Sequence, residues 1–287
     1  MNQDLICILG PTASGKTKYA VRMAYGVGGE IISADSRQVY RGMDIGTGKD
    51  LSEYTINGVD IPYHLIDIAD AGTKYNLFEY QRDFKKVYLD IVARGRQPIL
   101  CGGTGMYIEA VTRGYSLPEV PPNPMLREEL EKLSTDELIL RLASLKTLHN
   151  KTDTDSRKRL IRALEIALYQ QEHTVDYSEA LQFNTRFIGI SVSREVRVAR
   201  IDNRLKERLD NGMVEEVKSL IESGIASEDL IYYGLEYKFL ALYLAGQLTY
   251  EQMVEQLAVA IHQFAKRQMT WFRGMERRGI KIEWIEV

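Results

Sequence analysis

Four short runs of this chain are almost continuously apolar: Leu5–Leu9, Glu30–Ala34, Gln97–Cys101 and Phe187–Val192. Runs of that length without polar alternation are the pattern of strands covered on both faces of a parallel sheet. A helical stretch from Lys16 to about Tyr25 separates the first two, and an amphipathic one from Leu77 to Ala93 precedes the third. Strand and helix in alternation predict an α/β fold, a parallel sheet flanked by helices.

The pattern changes in the middle. Pro118, Pro121, Pro122 and Pro124 make a rigid, non-helical passage into "REELEKLSTDELILRLASLK", which has helical apolar spacing and pairs such as Glu128–Lys132. A further helix, "DSRKRLIRALEIALYQ", opens with Asp155 and Ser156 as cap candidates. Residues 120–183 are therefore expected to form a helical insertion, and 1–119 with 184–287 the α/β core. From Glu195 to about Arg277 the chain reads as mostly helical again.

Composition changes this picture little. The 287 residues are 45% hydrophobic and 27% charged, enough for a sizeable core. A formal charge of −3 excludes nothing, because basic residues can gather on one face of an acidic protein. Cys7 and Cys101 both fall in strand-like runs, with no metal spacing, and read as reduced core residues. The start, Met1-Asn2-Gln3-Asp4, lacks the features of a signal peptide, and no run approaches a membrane span. A cytoplasmic protein with no membrane association is expected.

The first chemistry lies directly after the first run. "GPTASGKT", Gly10 to Thr17, fits G-x-x-x-x-G-K-[ST], the phosphate loop of ATP- and other nucleotide-binding proteins. Between a strand and a helix, its backbone N–H groups converge on an anion at a helix N-terminus. Lys16 adds a cation, and the Thr17 hydroxyl suits magnesium. In "SADSRQVY", Asp35 falls at the carboxyl end of the second strand, the edge where open α/β sheets bind ligands. There it can hold a metal, act as a base, or simply cap a helix or turn. "CGGTGMY", Cys101 to Tyr107, allows close backbone approach around Thr104, or is a tight strand-to-helix turn. Two basic runs complete the set. One carries Arg157, Lys158, Arg159 and Arg162, and the other Lys266, Arg267, Arg273, Arg277 and Arg278 around Trp271 and Phe272. Basic residues interleaved with aromatics suit an RNA backbone and an unstacked base, although a solvated helix face has the same composition.

Together, "GPTASGKT", "SADSRQVYRGMDIGTGK", "IPYHLID", "GGTGMYIEAV", "KRLIRALE", "REVRVARIDNRLKERLDNGMVEEVKSL" and "AKRQMTWFRG" resemble, in order and over nearly the whole chain, the tRNA dimethylallyltransferases. The resemblance implies that the loop, Gly10, Pro11, Thr12, Ala13, Ser14, Gly15, Lys16 and Thr17, holds the diphosphate of dimethylallyl diphosphate rather than ATP, with Arg267 beside it. It implies Mg²⁺ at Thr17, with Lys16 neutralising the departing diphosphate. Asp35 would take the proton from the exocyclic amine of an adenine beside the anticodon. Asp35, Ser36, Arg37, Gln38, Thr104, Arg127, Lys158, Arg159, Leu160, Ile161 and Arg162 would touch the anticodon stem-loop of tRNA, and a monomer is expected. Such chemistry calls for leaving-group stabilisation, positioning, and an adenine drawn out of its stack.

The chain also departs from the family pattern. Gly234-Leu235-Glu236-Tyr237 stands where Gly-Tyr-Arg-Glu is usual, so a carboxylate replaces an arginine expected near the diphosphate. Ile261-His262-Gln263 replaces Thr-Arg-Gln, and "KTLHNKTDTDSRK" replaces a proline-bearing segment. A divergent paralogue with an altered substrate or with tRNA binding alone is one alternative. A small-molecule kinase, suggested by the phosphate loop, is the other.

Overall fold

The computed structural model describes residues 4–115, 117–146, 154–173 and 181–287. The chain divides into two compact units, Met1–Gly114 with Leu181–Val287, and Tyr115–Ala180. The prolines Pro118, Pro121 and Pro122 thus belong to the second unit, whose span begins a few residues before the expected position 120.

The first unit opens with β1 (Leu5–Leu9), α1 (Lys16–Val27) and β2 (Gly29–Ser33). Short strands follow: β3 (Tyr40–Arg41), β4 (Thr55–Ile56), β5 (Val59–Asp60), β6 (Tyr63–His64) and β7 (Ala69–Asp70). Then come α2 (Leu77–Ala93), β8 (Gln97–Gly102) and α3 (Gly105–Thr112). The second unit supplies α4 (Pro124–Glu131), α5 (Thr135–Leu145) and α6 (Arg157–Glu172). The first unit resumes with β9 (Thr185–Ser191), α7 (Arg194–Asp210), α8 (Met213–Glu222), α9 (Ser227–Leu230), α10 (Leu235–Leu244), α11 (Tyr250–Arg277) and β10 (Ile282–Glu286).

A six-stranded, wholly parallel sheet runs β10-β9-β1-β8-β2-β6. Its four inner strands are the four apolar runs. The edges β6 and β10 were not among them, because a two-residue strand and an alternating one leave no continuous apolar run. β1 shows why a central strand has no polar face. Leu5, Cys7 and Leu9 pack with Tyr80, Phe84, Ile91, Phe272 and Met275 on one side. Ile6 and Ile8 pack with Ala20, Val21 and Ala24 on the other. Cys7 and Cys101 are free, buried thiols. A separate cluster joins α7, α8, α10 and α11 to Val39, Tyr40 and Met43.

In the second unit the stretch "REELEKLSTDELILRLASLK" is two helices, since Ser134 and Glu137 form a capping box that starts α5 anew. Leu130, Leu138, Leu142, Leu160, Ile161 and Leu164 make its core. Ser156 caps α6 by accepting from the Arg159 N–H. Among the described residues, no helix is long and apolar enough to cross a membrane.

Candidate functional site

The carboxyl ends of β1, β8 and β2 lie side by side, so the phosphate loop, the "CGGTGMY" turn and the "SADSRQVY" loop meet at one edge of the sheet. Gly10 turns the chain out of β1 where no side chain fits: a Cβ there would lie 2.6 Å from the Ile190 carbonyl and 2.8 Å from Ser14 Oγ. Ala13 (φ 60°) and Gly15 (φ 84°) both take left-handed backbone to wrap the loop. The Thr12 N–H donates to Gln268 Oε1 at 2.8 Å, and the Ser14 N–H to the Pro11 carbonyl at 3.4 Å. The amides at the start of α1, which have no intrahelical acceptor, are the ones placed for an anion. Gln268 also donates through Nε2 to the Gly103 carbonyl at 2.9 Å, tying the loop to the turn after β8.

Lys16 Nζ donates to the Pro11 carbonyl at 3.4 Å. Burial lowers the Lys16 ammonium from its ordinary value, while Cys101 and Asp35 pull it back up. The Cys101 thiol is pushed up to about 12 by burial, so it carries no thiolate chemistry.

Asp35 Oδ1 accepts the Arg37 N–H at 2.9 Å, so the carboxylate braces a turn while lining the cavity. No helix starts there, which removes the helix-cap alternative. Thr104 occupies the N-cap position of α3 without capping it; its Oγ1 instead accepts the Ser36 N–H at 3.1 Å. Arg37 donates to the Tyr232 carbonyl, and Gln38 Nε2 to the Gly48 carbonyl at 3.1 Å.

These pieces line one cavity of about 1040 Å³ that also takes in Arg200, Arg204, Arg208, Glu236, Arg267 and Trp271. Lys16, Thr17, Asp35, Ser36, Arg37, Gln38, Thr104 and Arg267 are thus brought together. The three arginines of α7 were missed as site residues. Their spacing of four, which puts them on one helix face, was the available signal. Gln268 was missed as well. His262 pairs with Asp202 at 2.8 Å and is not among the cavity-lining residues.

The other tRNA candidates belong to the second unit, where two of them, Arg127 and Arg162, meet at one carboxylate. Glu165, with a side chain 1% exposed, accepts from the Asn123 N–H at 2.6 Å and from Arg127 at 3.0 and 2.8 Å, and also from Arg162. Burial alone would raise the Glu165 carboxyl, but Arg127, Asn123 and Arg162 outweigh it and hold it below the ordinary carboxylate value. Arg127 and Arg162 therefore have structural partners, and the side chains of Leu160 and Ile161 are buried in the helical core. Those two can offer RNA only their backbone. Lys158 and Arg159 are exposed.

The IPP transferase family model matches residues 38–275, and an isopentenyl transferase model matches residues 3–60. The chain is 60% identical over 283 residues to tRNA dimethylallyltransferase 1 of Parabacteroides distasonis, covering 99% of this chain and 92% of that protein. It is 61% identical over 282 residues to tRNA dimethylallyltransferase 1 of Porphyromonas gingivalis, covering 98% and 93%. Among solved structures it is similar to the full-length tRNA isopentenylpyrophosphate transferase of Bacillus halodurans, with a TM-score of 0.70 and 33% identity, covering 99% of this chain and 90% of that one.

Proposed function

The chain belongs to the IPP transferase family and is a tRNA-modifying transferase, and we propose that it moves a dimethylallyl group from dimethylallyl diphosphate to an adenine beside the tRNA anticodon. The observation that carries this reading is one cavity holding both a phosphate loop with Lys16 and a carboxylate, Asp35, across the sheet edge from it. Two substrates with opposite needs, a polyanion and a weakly nucleophilic amine, have their partners within one space.

In the step itself, the exocyclic nitrogen attacks the allylic carbon. The carbon–oxygen bond to the diphosphate breaks, and diphosphate leaves with the electron pair. Lys16, Arg267, Arg200, Arg204 and the amides opening α1 bear on the charge that develops on the leaving oxygen. Asp35 orients the amine and receives its proton. The turn bond from Arg37 to Asp35 Oδ1 fixes the carboxylate before the amine arrives.

Magnesium suits this site through the Thr17 hydroxyl at the start of α1 rather than through a protein cage: among the described residues no group of three His, Cys, Asp or Glu is placed to hold a metal. A cation bound mainly by phosphate oxygens and water needs few protein ligands. When bound, it neutralises diphosphate charge. Ser36, Arg37, Gln38 and Thr104 face the incoming base, and Lys158 and Arg159, with the outer edges of Arg127 and Arg162, face the stem-loop backbone. The working form is a cytoplasmic monomer.

The test is purified protein incubated with labelled dimethylallyl diphosphate or labelled ATP, with and without tRNA. Label entering tRNA, with diphosphate released only when both substrates are present, is expected. Phosphate transfer from ATP without prenyl transfer would establish the kinase alternative instead. Tight tRNA binding with no transfer from either donor would establish the binding-only paralogue.

A further inference from the structure

Glu236 lies in the first turn of α10, on the wall of a cavity lined by Lys16, Arg200, Arg204, Arg208 and Arg267 and by the carboxylates Asp35, Asp50, Glu53 and Glu207. Its side chain is 20% exposed and that of its partner Arg208 is 18% exposed, with Oε1 3.7 Å from Nη1. That separation is beyond hydrogen-bond length, so the pair lacks the directed geometry that offsets the desolvation of a buried ion pair. Gly48 makes room for the guanidinium: a Cβ there would lie 1.8 Å from Arg208 Nη2 and 3.0 Å from Arg204 Nη2. A void of about 20 Å³ separates Glu236, Arg208 and Arg204 from Thr12 and Ala13 of the phosphate loop. A carboxylate is thus set across from the start of an anion-binding loop, one arginine away from it.

We infer that Glu236 is a specificity-determining residue that limits the site to two phosphates, by occupying Arg208 and by repelling any further phosphate reaching past Arg204. This rests on the reading of the cavity as a diphosphate site. Loops of this sequence type also hold triphosphates, so the loop by itself does not set phosphate number. The opposite wall has to set it. In a partly buried space, a like charge a few ångströms away is felt strongly. Discrimination between two anions then comes from the repulsive element as much as from the attractive ones. Burial raises the Glu236 carboxyl above its ordinary value, and Arg208 and Arg37 offset only part of that rise.

The experiment measures binding of inorganic diphosphate and inorganic tripolyphosphate by calorimetry at one fixed magnesium concentration, for the full chain and for Glu236→Gln, Glu236→Met and Glu236→Asp. The wild type is expected to favour diphosphate. Both uncharged variants should shift the affinity ratio toward tripolyphosphate by about tenfold, the scale of one partly screened like-charge contact. Glu236→Asp, which keeps the charge, should hold the wild-type ratio. Methionine provides a second neutral side chain if circular dichroism shows the glutamine variant unfolded. An unchanged ratio in the folded neutral variants, or an equal shift in Glu236→Asp, overturns the inference and leaves the diphosphate site standing. Failure of the wild type to bind diphosphate at all overturns both.

Discussion

Gln268 accepts the N–H of Thr12 across 256 positions of sequence and, with its other amide atom, holds the Gly103 carbonyl. One neutral side chain from α11 therefore fixes the spacing between the phosphate loop and the turn that presents Thr104. Gln268→Leu leaves both backbone groups without partners, at a cost of about 1–3 kcal/mol for each group. The expected result is a lower melting temperature together with a raised KM for dimethylallyl diphosphate. A variant with wild-type values of both would show that the loop holds its shape unaided.

Asp35→Asn keeps a side-chain oxygen to accept the Arg37 N–H while removing the basic carboxylate. Transfer in a single turnover should fall by about 10²–10⁴-fold, with tRNA affinity changed less than about twofold. Retention of more than about a tenth of the rate would reduce Asp35 to its turn-bracing role.

Lys16→Ala removes a charge that bears on bound and departing diphosphate alike. Its kcat should fall by about 10²–10³-fold and its KM for the donor should rise with it. Unaltered steady-state constants would mean that the loop serves a different ligand.

Lys158 and Arg159 form the exposed part of the α6 basic run, whereas Arg162 has Glu165 to hold. Lys158→Ala with Arg159→Ala should weaken tRNA binding and flatten its salt dependence by about 0.7 in log–log slope per lost single-strand phosphate contact. Affinity for the donor should stay the same. A slope equal to that of the wild type would assign this face of α6 to solvent.

The second unit should carry its own acid sensitivity. Glu165 is held below its ordinary value of 4.5, so its contribution to stability is complete above that pH and is lost as the pH falls through its folded-state value. Removing it leaves Arg127 and Arg162 facing an empty centre. Glu165→Ala is expected to cost about 3 kcal/mol, at the lower end for breaking a buried pair because both arginines are partly exposed. Hydrogen exchange across α4 to α6 should rise, and the acid unfolding of these helices should depend less steeply on pH below 4.5, with the Glu137 capping carboxylate left to supply the remainder. Unchanged protection in the variant would place the stability of this unit in its leucines alone.

The sheet was legible because its inner strands are apolar on both faces, and the phosphate loop because its backbone conformation demands particular residues at fixed spacing. Asp35 and Thr104 followed from the strand ends. What sequence did not disclose depends on side chains meeting across the fold. Arg200, Arg204 and Arg208 are spaced as any charged helix face is spaced, and only the placement of α7 beside the loop gives them a cavity to line. Leu160 and Ile161 were carried into the RNA-binding stretch by motif continuity, yet a helix presents neighbouring residues in different directions. Glu236 was noticed as a departure from the family, but its partner Arg208 could not be read from spacing along the chain.

The pairing of β1 with both β8 and β9 bears on how the protein is made. Ile6 finds Ile99 on one side and Arg186 on the other, with the whole second unit lying between those partners in sequence. On a ribosome adding about 5–20 residues per second, β9 follows β8 by several seconds. For that interval the strand that carries the phosphate loop has one open edge, and the half of the sheet already synthesised lacks both α7 and Gln268. The nascent chain thus passes through a stage in which its most apolar strand is a template for unintended pairing. The helical unit emerging in that window can reach a core of its own before β9 arrives to close the sheet.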